Sequence, residues 1–152
     1  MARWIGVDYG RKRIGLAVSD AGGEIASPAK TLASTGNASG DADAVLEFAR
    51  HCQATALVVG MPLNMDGSSG PQAAFTNTFV EQLRAASKAP VETWDERLTS
   101  FQADLWMSAA GLTRAQKRKR RDPLAAQAIL QSFLDAHNSA GSAPTSRDPL
   151  AD

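Results

Sequence analysis

The sequence has a single cysteine, Cys52, so no internal disulfide can form, and its two histidines, His51 and His137, are too few soft ligands for a structural zinc site. No apolar run approaches the roughly 20 residues of a membrane helix, and the N-terminus has no signal-peptide core. These absences predict a soluble, unsecreted, cytoplasmic protein with no membrane partner. Net charge is missing as well, since 16 Lys and Arg balance 16 Asp and Glu. The distribution is nevertheless uneven. Arg114, Lys117, Arg118, Lys119, Arg120 and Arg121 put six cations and no anion into eight residues, leaving ten basic against sixteen acidic residues elsewhere. Such a run is either a solvated loop or a contact for a phosphate backbone, where clustered cations gain affinity by releasing counterions.

What is present is a chain of 152 residues, 43% hydrophobic, enough for one domain to bury a core without staples. We place that domain at residues 1–138 and read the Ser-, Pro- and Ala-rich residues 139–152 as a disordered tail. The domain opens on Trp4-Ile5-Gly6-Val7-Asp8-Tyr9-Gly10. Ile5 and Val7 favour a strand and Gly10 a turn, so Asp8 is delivered to a strand end. Taken alone, Asp8 serves equally as a turn cap or as a functional carboxylate. Further strands are predicted over 14–19 and 25–31, joined by turns too short for parallel crossovers and therefore antiparallel. A helix over 42–51, capped at Gly40-Asp41, follows. The run 56–60 is apolar without alternation, which predicts a strand buried on both faces at the centre of the sheet.

Residues 61–71 form a polar, glycine-rich loop. It lacks the Gly-Lys-Ser or Gly-Lys-Thr ending of a P-loop and the glycine spacing of a dinucleotide fold. A helix over 72–86 is next, and then a strand over 91–94 that runs into Asp95-Glu96-Arg97 before another helix to about 110. On a strand end Asp95 and Glu96 face opposite ways, so only one of them joins Asp8. After the basic loop, the last helix is expected to begin at Asp122-Pro123, because Asp caps well and Pro suits the first helical position. Asp122 thus has a sufficient structural role of its own. The order predicts a mixed five-stranded sheet, three antiparallel strands then parallel ones, flanked by helices. Asp8, Glu96 and Asp122 can converge on one sheet edge. Converging carboxylates repel unless protons or hard cations such as Mg2+ or Mn2+ neutralise them.

Several stretches together resemble the YqgF-type family, a Holliday-junction-resolvase-like group linked to pre-16S rRNA cleavage. They are Asp8-Tyr9-Gly10 with Ile14-Gly15-Leu16-Ala17, the run 59–67, Asp95-Glu96-Arg97-Leu98-Thr99, and Asp122 with Ala125-Ala126 and Ile129-Leu130-Gln131. Arg121, where an apolar residue usually stands, is a departure, as is the Ser-Pro tail. The resemblance implies a ribonuclease-H-like fold and assigns Asp8, Glu96 and Asp122 as catalytic metal ligands. It implies phosphodiester hydrolysis by two divalent ions about 4 Å apart, with precursor 16S rRNA as substrate and branched DNA as the alternative. Arg11, Lys12 and Arg97 are expected to bind phosphates, Asn64 to grip substrate from its loop, and Arg118 and Arg120 to contact the nucleic-acid backbone. Ribosomal particles are expected partners, and the chain is expected to be a monomer or homodimer. A non-catalytic ribosome-assembly factor, with the basic run carrying the binding, is the competing class. An actin-like ATPase would need paired domains that 152 residues cannot supply.

Overall fold

The computed structural model describes residues 2–64, 66–98 and 114–146, with the side chains of the last stretch described over 122–139. The helix expected before residue 110 lies outside the described residues. Strands β1 (Trp4–Tyr9), β2 (Arg13–Ser19), β3 (Ala26–Ala33), β4 (Ala56–Met61) and β5 (Val91–Asp95) form one sheet in the order β3-β2-β1-β4-β5. The first three pair antiparallel, and β1–β4 and β4–β5 pair parallel. Connection length explains the split: tight turns join only antiparallel neighbours, whereas α1 (Ala38–His51) and α2 (Pro71–Ala86) provide the crossovers parallel strands need. The expected mixed sheet is therefore present, with one correction. β1, not β4, occupies the middle; burial on both faces requires an interior strand, which β4 is, but does not say which interior place it takes.

Side-chain alternation on β1 divides the core in two. Ile5, Val7 and Tyr9 are buried with Val45, Phe79 and Leu83 beneath α1 and α2. On the other face Trp4 packs with Ala126, Leu130 and Phe133 of α3 (Arg114–Ser146), its ring 4.7 Å from that of Phe133. Each large apolar side chain buried in this way contributes roughly 1.5–3 kcal/mol, so both faces hold the sheet.

Two helix starts differ from expectation. α1 begins at Ala38 with Asn37 as its cap, whose side chain accepts from the Gly40 amide at 2.6 Å. Asp41 is no cap but a buried carboxylate that accepts from Tyr9 Oη at 2.5 Å, Ser34 Oγ at 2.9 Å, and the Thr35 amide and hydroxyl at 2.6 and 2.9 Å. Burial pushes its pKa up, but these donors outweigh that and hold it below the usual carboxylate range. α3 begins at Arg114, so the basic run is helical backbone rather than loop and Pro123 lies inside the helix. Lys, Arg, Gln and Ala are strong helix formers, and they carry the helix past a ring that removes one N–H and crowds the carbonyl a turn earlier. The side chains of Arg118 and Arg120 lie outside the described residues. The helical backbone extends to Ser146. Among the described residues no helix is long and apolar enough to cross a membrane.

Candidate active site

The sheet face beneath α3 is bare backbone at three places. A Cβ on Gly6 would stand 2.7 Å from Leu130 Cβ; one on Gly60 would stand 2.5 Å from Ile129 Cδ1 and 3.1 Å from Glu96 Oε2. At Gly15 it would meet the Asp122 carbonyl oxygen at 2.1 Å. Glycine at these positions lets α3 descend onto the sheet, and that descent fixes where the acids lie. Asp8 follows Gly6 by two residues, so it shares the α3 face. It pairs across the hairpin with Gly15. The parallel register ends at Val7–Val59, and one residue further it sets Asp8 beside Gly60. Asp8 is therefore bracketed by the glycine that carries Asp122 and the glycine against which Glu96 rests.

Glu96 opens a 3-10 turn, Glu96–Leu98, directly after β5. Burial pushes its pKa up, and the adjacent negative charge of Asp95 pushes it further. Asp95 is occupied differently: Arg97 donates to it through Nε at 3.0 Å and Nη2 at 2.5 Å, which holds the Asp95 pKa down. The two neighbouring acids thus divide, one desolvated and one ion-paired. Asp122 accepts from Arg13 Nε at 2.7 Å through Oδ2.

The expected substrate residues scatter more widely. Arg11 sits in the hairpin turn with its guanidinium 4.3 Å from the Phe75 ring centroid, on the α2 side of the sheet. Lys12 is exposed in the same turn. Asn64 donates to Ser68 Oγ at 3.0 Å, while its carbonyl accepts from the Gly67 amide at 2.8 Å and from Arg97 Nη1 at 3.4 Å. Arg97 thereby ties the 62–70 loop to the end of β5. Arg13, the cation that reaches Asp122, stands outside the motifs that mark the acids. Strand alternation was the available signal, because residues 13, 15 and 17 share one face of β2.

Among the described residues no group of three His, Cys, Asp or Glu side chains stands close enough to hold a metal ion. The donor chemistry at this edge is nonetheless that of a hard cation: carboxylate oxygens, no sulfur and no imidazole. A cation would also relieve the desolvated Glu96.

The strand order, the mixed pairing and the helix laid across one face define a ribonuclease-H-like fold. Two solved structures share it: T. thermophilus RuvC in complex with a Holliday junction substrate, with a TM-score of 0.58 at 17% identity over 91% of this chain and 96% of that one, and a second Thermus thermophilus RuvC structure, with a TM-score of 0.57 at 18% identity over 90% and 96%. At such identities the likeness concerns the fold alone. The family model described as "RuvX: Holliday junction resolvase" matches residues 2–136, and the chain belongs to that family. Among curated relatives named "Putative pre-16S rRNA nuclease", that of Anaeromyxobacter dehalogenans (strain 2CP-C) is 45% identical over 133 residues, covering 88% of this chain and 96% of the relative. That of Myxococcus xanthus (strain DK1622) is 42% identical over 135 residues, covering 89% of each. The family resemblance carried by the motifs is borne out.

Proposed function

We propose that this chain is a divalent-metal-dependent nuclease that hydrolyses phosphodiester bonds of precursor 16S rRNA in the cytoplasm, on ribosomal particles or their precursors. One observation carries the reading: α3 lies so close to the sheet that the Asp122 backbone touches Gly15, the cross-strand partner of Asp8. In this reading Asp8, Glu96 and Asp122 hold Mg2+ or Mn2+. When bound, such ions activate a water and stabilise the leaving oxygen. Arg11, Lys12, Asn64, Arg97, Arg118 and Arg120 contact the nucleic acid around the cut. The relatives' names favour rRNA, while the family's description favours a four-way DNA junction, for which paired cuts need a symmetric dimer.

The test incubates purified protein with precursor 16S fragments and with four-way junctions, in Mg2+, Mn2+ or chelator, beside a measurement of mass in solution. Wild type should cut rRNA only with metal, and Asp8→Asn should fold normally and not cut. Full activity in Asp8→Asn would refute the site. Binding without cleavage under every condition would instead support the assembly-factor role, and junction cleavage by a dimer the resolvase role.

A further inference from the structure

We propose that Arg13 is a phosphate-binding residue of this site, held in position by Asp122; the proposal rests on the nuclease reading above. Arg13 Nε donates to Asp122 Oδ2 at 2.7 Å. Among the described residues its other nitrogens, Nη1 and Nη2, make no hydrogen bond or ion pair. Its side chain is 62% exposed, against 20% for Asp122. One of five N–H donors is thus spent on orientation, and the planar fork that suits phosphate oxygens stands open.

Location gives that fork a purpose. Arg13 lies on the α3 face of β2, two residues before Gly15, the partner of Asp8. It therefore stands beside Asp122 at the rim of the carboxylates, open to solvent on the face that carries Asp8. Among the described side chains, neither of the other arginines near this end of the sheet is so placed. Arg11 lies over Phe75 on the opposite face, and Arg97 grips Asp95 with two nitrogens. Asp122 is divided in the same economical way. Oδ2 takes Arg13, while Oδ1 accepts no hydrogen bond among the described residues and is left for a cation.

The experiment measures binding of a fluorescently labelled single-stranded precursor 16S rRNA fragment in Mg2+, in the cleavage-blocked Asp8→Asn background, over a range of salt concentrations. Arg13→Gln added to that background should weaken binding roughly threefold to tenfold and flatten the salt dependence by about 0.7, the loss of one phosphate contact. Arg13→Lys should keep the slope but lose part of the affinity, because an ammonium lacks the fork. Should Arg13→Gln fail to fold, Arg13→Lys decides alone. Unchanged affinity and slope in a folded Arg13→Gln chain, with only a lower melting temperature, would overturn the proposal and leave Arg13 as a clamp. If the Asp8→Asn chain binds no RNA, the same comparison is made in the Asp8 chain with Ca2+ in place of Mg2+, and equal binding by folded Arg13 and Arg13→Gln chains there overturns the proposal. An Arg13 effect on binding beside a wild type that never cuts overturns the nuclease reading alone.

Discussion

Replacing Gly15 with Ala adds one methyl group, far smaller than any functional side chain, and it should disable the site without touching an acid. The new Cβ would stand 2.1 Å from the Asp122 carbonyl oxygen and 2.4 Å from its carbonyl carbon, where ordinary contact begins at 3.4 Å. Backbone cannot swing aside as a flexible side chain can, so α3 must lift by about 1 Å at Asp122, and an overpacked core of this kind costs about 1–3 kcal/mol. A displacement of about 1 Å at a reacting centre is enough for a roughly 100-fold loss of rate. The assay pairs thermal melting with metal-dependent cleavage of a precursor 16S fragment, for Gly15→Ala and for Gly36→Ala as reference. Gly36 has φ +94° but nothing within 4 Å of its Cβ position. Its substitution should therefore cost stability through backbone strain and leave the rate per folded molecule unchanged. If Gly15→Ala melts with wild type and cuts at the wild-type rate, the close approach of α3 does not position Asp122 and the reasoning fails.

Two further predictions concern pH. Glu96 has a raised pKa, from burial first and then the charge of Asp95; its contribution to stability is present below the unfolded value near 4.5 and lost as pH rises through the folded one. In the absence of metal, Glu96→Gln should therefore melt above wild type at pH 7, with the gap closing below about pH 4.5, and with Mg2+ or Mn2+ present it should not cut; a lower melting temperature at pH 7 contradicts the burial argument. Asp41 has the opposite sign. Burial raises its pKa, but hydrogen bonds from Tyr9, Thr35 and Ser34 leave it lowered, so its contribution is present above the unfolded value near 3.8 and lost as pH falls through the folded one. Asp41→Asn should cost about 1.5–3 kcal/mol at pH 7, and a penalty that persists undiminished well below pH 3 would show that the charge is not what matters.

Much of this molecule is legible one segment at a time. Connection lengths alone separate the antiparallel strands from the parallel ones, because a hairpin turn cannot cross over and a helix can. The unbroken apolar run of β4 identifies an interior strand, and the motifs around Asp8, Asn64, Glu96 and Asp122 carry the family. Helix starts were less legible. At α1 both Asn37 and Asp41 are competent caps, and Asp41 is drawn inward by the Tyr9 hydroxyl together with Ser34 and Thr35. At α3 the Asp-Pro pair is a normal start signal, overridden by eight preceding residues that favour helix.

Legible before folding are the mixed sheet, the delivery of Asp8 and Glu96 to strand ends, and the family, whereas the helix start expected at Asp122 is not where α3 begins. It takes the packed molecule to make β1 central, to bring α3 onto bare backbone at Gly6, Gly15 and Gly60, to put Arg11 on the far face and to join Arg13 to Asp122. The difference is one of range. Local periodicity reports which side of its own element a residue occupies, whereas Arg13 and Asp122 are separated by 109 positions in the chain, and their meeting depends on how closely a helix can settle on a sheet where side chains are absent.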